Sequence, residues 1–340
     1  MQRPQGSACI SPGHAISSTS ASASSWKIVV VPTLAAFFVG TLTAVQSRAN
    51  GSLAEIVGSG LQAAVVSFSI GLIITTVVVL SRQRFRAGVI KLIGAVRQGR
   101  LKPWEIFGGI FGALFVLAQS VSVPVIGVAL FSVALVSGQS ASALIVDRLG
   151  LGPHGRQPVT RWRLLSAVIG VSAVIVAVSG RLGNAHIPLW MVVLCFMAGI
   201  GVSVQQAING RVSAASGEPI VAAWMNFVMG VAVLSLAFSV LIFLGEISPS
   251  ALPTGPLWLY LGGVVGVTFI ATASWVVGKI GVLRLSLLAI AGQLVGSLIL
   301  DLVTNGFLDS TLILGVLLAF TAVSVNTIQT RKPNQSVTAE

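Results

Sequence analysis

Apolar and polar positions along this chain come in blocks rather than alternating. Ten stretches of roughly 20 residues are almost continuously apolar: 28–47, 60–80, 104–122, 125–146, 163–180, 187–207, 219–244, 257–277, 280–300 and 311–329. Bilayer hydrocarbon is about 30 Å thick and an α-helix rises about 1.5 Å per residue, so each block matches one crossing. Barrel strands would be shorter and would alternate at every second residue. The pattern predicts an all-α integral membrane protein with ten transmembrane helices. Residues 1–27 read as a disordered cytoplasmic tail ending at the interfacial pair Trp26-Lys27, and 331–340 as a second tail. The first tail is rich in Ser and Ala and lacks the apolar core of a secretory signal.

The blocks repeat. At an offset of 159 residues, Gly40–Gly71 falls on Gly199–Gly230 without a gap and with ten of 32 positions identical. At an offset of 154, Trp104–Asp147 falls on Trp258–Asp301 with 16 of 44 identical. The chain therefore divides into five-helix repeats at 28–180 and 187–330. Because five is odd, the copies must enter the membrane from opposite sides. The loops agree. The link between the second and third blocks holds Arg82, Arg84, Arg86, Lys91, Arg97, Arg100 and Lys102, whereas its counterpart has no Lys or Arg and carries Glu246. Core faces that repeat while loop charges reverse are expected of an inverted-topology repeat, an arrangement typical of transporters.

Composition sharpens this picture. The residues are 55% hydrophobic and only 8% charged, against about 25% charged in a soluble domain. The net charge of +12 would suit nucleic acid if it formed a patch, but it follows topology instead. With the N-terminus inside, 18 of the 20 Lys and Arg lie on one side and only Arg48 and Arg181 on the other. Such a bias orients a protein in a plasma (inner) membrane with both termini cytoplasmic. Cys9 and Cys195 imply no disulfide framework. His14, His154 and His186 lie in tail or loops, and no metal-ligand cluster, nucleophile elbow or phosphate loop is present. An enzyme, a catalytic site, a cofactor and a metal are therefore not expected.

The candidate chemistry is the set of polar residues placed in apolar blocks. Gln46 and Asn50 lie four apart on one helical face, and Gln205 and Asn209 repeat them, with Gln206 added. Gln139 and Gln293 match across the fourth and ninth blocks. An unsatisfied polar group in hydrocarbon costs several kcal/mol, so these carboxamides must face protein or a wet cavity. They form either a midplane substrate site or interhelical glue worth about 0.6–2 kcal/mol each. Asn50-Gly51 and Asn209-Gly210 also suit helix C-caps. Gly108-Gly109-x-x-Gly112 and Gly262-Gly263-x-x-Gly266 suit close helix packing. Asp147 and Asp301 end matching blocks and Arg284 lies a turn into the ninth; these three are coupling or gating candidates, with capping and snorkelling as the alternatives.

The repeated Gly-x5-Gln-x3-Asn-Gly, followed by Ala-Ala-x3-Phe-x2-Gly, resembles the YdcZ-like family of the drug/metabolite transporter superfamily. So does Gly-Gly-x2-Gly leading to Gly-Gln-x7-Asp. The likeness covers about residues 28–330, once per half, and so matches a fused ten-span form. It implies a ten-helix transporter with a central cavity between halves, and an inner-membrane exporter. The Ser/Ala-rich extension and Arg148, where a His often follows the Asp, depart from the family pattern. The expectation is a secondary transporter exporting a small metabolite or drug-like compound by alternating access, as monomer or homodimer. A non-transporting scaffold or accessory subunit is the alternative; a channel is disfavoured because no charge ring or filter motif is visible.

Overall fold

The computed structural model describes residues 20–151, 160–179, 188–280, 282–306, 308 and 310–328. Among these there is no strand. The helices are α1 (Ser20–Val57), α2 (Gly60–Ser81), α3 (Gln83–Arg97), α4 (Gly109–Leu149), α5 (Arg161–Ser179), α6 (Leu189–Ser216), α7 (Pro219–Phe243), α8 (Leu261–Ile280), α9 (Val282–Asn305) and α10 (Ser310–Ile328). Short 3-10 turns, Pro103–Gly108 and Leu257–Tyr260, lead into α4 and α8. Five apolar helical stretches are long enough to cross a bilayer by themselves: Val30–Val57, Gly60–Ser81, Pro103–Ser142, Leu189–Ser216 and Pro219–Phe243. Shorter apolar stretches occupy Leu164–Ser179, Leu257–Ile270, Leu288–Thr304 and Ser310–Val325.

The helix α4 is two crossings, not one. Gly112 lies against Gln205 Nε2, and the Gln139 carbonyl accepts from Ser203 Oγ, two residues earlier on α6. The 27 residues from Gly112 to Gln139 would span about 40 Å if straight, so the chain must double back between them. It does so at Gly127, whose φ of 79° and ψ of 165° interrupt the helix just after Pro124. Only glycine occupies that region without strain. The limbs 109–126 and 128–149 correspond to α8 and α9 of the second repeat.

Helix contacts follow the repeat. Gly40 on α1 meets the Ala289 carbonyl on α9, and Gly292 on α9 meets the Phe37 carbonyl. Across the other half, Gly199 on α6 meets the Leu135 carbonyl and Gly138 meets the Phe196 carbonyl. The first helix of each repeat is thus packed against the third and fourth helices of the other. Missing side chains let the backbones touch, which is where dispersion gives most when lipid offers no hydrophobic drive. At the centre, Phe68 of α2 sits over Gly230 of α7, and Phe227 of α7 over Gly71 of α2. The two rings meet edge to face at 5.3 Å, where the pseudo-two-fold axis passes. At the periphery α5 and α10 pair, with Ser166 Oγ donating to the Ala322 carbonyl at 2.6 Å.

Three expectations change. The helices α1 and α6 do not end at Asn50-Gly51 and Asn209-Gly210; they run on to Val57 and Ser216, where Gly58 (φ 69°) and Gly217 (φ 73°) supply the left-handed residues. Inside the helix, Asn50 and Asn209 face neighbouring helices, and these contacts override their turn preference. The first helix begins at Ser20, six residues before Trp26, so the tail expected over 1–27 gives way to helix within its last residues; Ser and Ala simply extend it. The basic link after α2 is no loop but carries the amphipathic helix α3, with Gly88, Leu92 and Ala95 buried.

Candidate functional site

Around the Phe68–Phe227 contact, polar side chains occupy equivalent places in the two halves. Gln46 of α1 faces α8 at Gly266, and a Cβ built there would stand 3.9 Å from Gln46 Nε2 and 3.4 Å from the Phe227 ring. Gln205 of α6 faces the first limb of α4 at Gly112, where a Cβ would stand 2.5 Å from Gln205 Nε2 and 3.3 Å from the Phe68 ring. Each glutamine therefore lies beside the aromatic ring of the opposite repeat, with a glycine of the third helix keeping the space open. The array runs Gln46, Phe227, Phe68, Gln205.

One turn further on, the halves differ. In the first, Asn50 Nδ2 donates to Gln119 Oε1 at 2.8 Å, Gln119 Nε2 donates to Ser47 Oγ at 2.8 Å, and Ser47 Oγ donates to the Thr43 carbonyl at 3.0 Å. All four residues are buried, and Asn50 Oδ1, pressed against Gly262, is left without a partner. This network ties the end of α1 to the end of the first limb of α4. The equivalent of Gln119 is Ala273, so the second half cannot repeat it. There Gln205 Nε2 donates to Asn226 Oδ1 at 3.3 Å, Asn209 lies beside Gly108, and Gln206, the equivalent of buried Ser47, is exposed.

Gln139 and Gln293 stand apart from this array. The Gln139 carbonyl takes Ser203 Oγ at 3.0 Å, but its half-buried carboxamide makes no hydrogen bond among the described residues. Gln293 is buried, with Nε2 unpartnered among the described residues. No hydrogen bond among the described residues joins these two to each other or to Gln46 and Gln205. Among the described residues, Gln205 is the one of the four glutamines whose side chain donates to protein. That arrangement can present amide donors and acceptors, with aromatic faces between them, to a ligand of mixed polarity.

The charged candidates separate. Asp301 is buried within α9, where Oδ1 accepts from Val128 N–H at 2.9 Å and Oδ2 from Ala129 N–H at 3.0 Å. It thereby caps the second limb of α4 across the repeats. The side chains of Asp147 and Arg284 lie outside the described residues. Two ion pairs that sequence reading did not single out mark the basic-loop end. Buried Glu105 pairs with Arg211 Nη1 at 2.7 Å while its other oxygen accepts the Lys102 N–H at 2.7 Å. Arg84 donates from Nε and Nη2 to the two Glu218 oxygens at 2.9 and 2.8 Å. Hydrogen bonding to Glu218, then its charge, raises the Arg84 pKa further. Phe68 and Phe227 were visible as repeat identities, yet their role appears only once the two rings are seen to meet.

Comparison with known proteins agrees with the architecture. The family described as "Putative inner membrane exporter, YdcZ" matches residues 31–176 and again 190–325. No curated protein matches the chain. A solved structure titled only "Crystal structure of protein" superposes with a TM-score of 0.51, covering 88% of this chain and 96% of its own at 19% identity, which speaks to the fold alone. With one family unit in each repeat, the chain belongs to the YdcZ family of the drug/metabolite transporters: a multi-pass, all-helical inner-membrane protein from a family of exporters rather than enzymes.

Proposed function

We propose that this chain exports a small metabolite or drug-like molecule by alternating access. Its four repeated carboxamides, Gln46, Gln205, Gln139 and Gln293, with Phe68 and Phe227, serve as the substrate site. The observation that carries the reading is that these amides are placed where they cost and then left largely unspent. A glutamine kept as glue should bond a neighbouring helix, as Gln119 does with Asn50 and Ser47. Among the described residues the side chains of Gln46, Gln139 and Gln293 make no such bond, and a substrate would satisfy them. The difference between the ends, Ser47 sealed and Gln206 exposed, fits one of two near-mirror states. The basic-loop end is cytoplasmic in this reading, and the repeats at 28–180 and 187–330 move against each other around the paired rings.

The test is ligand-induced stabilisation of the detergent-purified protein across a metabolite and drug library, beside the variants Gln139→Leu/Gln293→Leu and Gln46→Leu/Gln205→Leu. A ligand at about a hundred times its Kd adds about 2.7 kcal/mol to the native state. Stabilisation seen in the wild type and lost in folded variants supports the site. Variants that bind as the wild type does would overturn it.

A further inference from the structure

The helix α3 has two uses for its surface, and only one is taken. Leu92 and Ala95 pack with Ile208 and Val212 of α6 and Val221 of α7, and Arg84 is held by Glu218. At about 100° per residue, Ile93, Arg86, Arg97 and Ile90 fall within one arc of about 60° turned away from that buried stripe, and Arg82 precedes the helix as its extended N-cap residue. All five are exposed, Ile90 by 71% and Ile93 by 48%. None of the three arginines has an acidic partner among the described residues. The preceding helix α2 also exposes apolar side chains, with Ile73, Val77 and Leu80 exposed by 60% or more. Apolar side chains interleaved with guanidinium groups that lack an acidic partner, at the point where a spanning helix leaves the bilayer, suit an interface with acyl chains below and phosphates above.

We propose that the Arg82–Arg97 flank of α3 is a binding surface for anionic phospholipid, with Arg82, Arg86 and Arg97 on the headgroup phosphates and Ile90 and Ile93 among the upper acyl carbons. The proposal is independent of the substrate site. It is tested on the full chain reconstituted in phosphatidylcholine vesicles containing spin-labelled phosphatidylglycerol or spin-labelled phosphatidylcholine, reading the motionally restricted fraction of each. The expected result is about a fivefold preference for phosphatidylglycerol, the equivalent of about 1 kcal/mol at a membrane surface, and its decline with salt. Arg82→Gln/Arg86→Gln/Arg97→Gln should bring the preference close to one. Lys91→Gln/Arg100→Gln/Lys102→Gln removes the same charge off the arc and should leave it in place. Arg→Lys at the three positions keeps charge and fold and should retain most of it. No preference in the wild type, or equal loss in both charge-removing triples, would overturn the assignment.

Discussion

Asp301 shows how much one side chain can hold in a membrane. The first N–H groups of any helix lack intrahelical partners, and in hydrocarbon no water replaces them. The second limb of α4 begins at such a point, and Asp301 supplies both acceptors from a helix 173 and 172 residues away in sequence. Asp301→Ala should cost about 1–3 kcal/mol, as for donors left unsatisfied, seen as a lower midpoint in thermal unfolding. Gly127→Ala should act in the same direction, because its backbone is at φ 79° and a Cβ would stand 2.9 Å from Asp301 Oδ2. An unchanged midpoint in both would mean the kink is held some other way. Buried Glu105 and Arg211 raise a different question, since the equivalent positions in the first helix of repeat one and the third of repeat two are Ser52 and Leu259. Leu259 sits in an apolar cluster with Leu53 and Val57. Arg211→Ser alone should strip about 3 kcal/mol by leaving a buried carboxylate unpaired. Glu105→Leu/Arg211→Ser should recover most of it by reproducing the other half's solution. A double variant as unstable as the single would show that the pair is needed for itself.

Among the elements, packing depends on where glycine allows backbones to meet. Gly40, Gly199, Gly138 and Gly292 stand at two equivalent crossings, each against a carbonyl of the partner helix. Gly199→Val or Gly292→Val should force α6 from α4 or α1 from α9, with a loss of several kcal/mol and of monodisperse protein in gel filtration. Gly94→Ala, on α3 where a Cβ meets nothing within 4 Å, is the control and should be near neutral. In the sequence, close packing was read at Gly108–Gly112 and Gly262–Gly266, whereas Gly40, Gly199, Gly138 and Gly292 stood out only as positions recurring in both copies, and nothing local marked them as crossings. What was not legible depended on distant partners. Nothing local distinguishes Asn50 as a bridge to Gln119 from Asn50 as a C-cap, since both use the same amide. The helix α3 was hidden because its basic residues read as loop charge, although Gly88, Leu92 and Ala95 already share a face. The candidate glutamines were legible as costly positions; that Gln46 and Gln205, but not Gln139 and Gln293, flank the aromatic pair was not.

For the whole molecule, the proposed alternating access calls for two states, and the two repeats differ at one equivalent position. Ser47 and Gln206 are the same position in the two copies, yet one is fully buried under Gln119 and the other exposed. If the halves exchange roles during transport, their exposures should exchange as well. In a background of Cys9→Ser and Cys195→Ala, Gln206→Cys should react with a membrane-impermeant maleimide from the basic-loop side, and Ser47→Cys should resist it from the other. A minor state populated at 0.1–10% would make the rates differ by at least about tenfold. Gln119→Ala removes the bridge between α1 and α4 that the second repeat lacks. It should speed labelling of Ser47→Cys and slow that of Gln206→Cys together, because one equilibrium governs both. Faster labelling at Ser47 with no change at Gln206 would mean that the network merely plugs one end, and that the two ends open independently as in a pore.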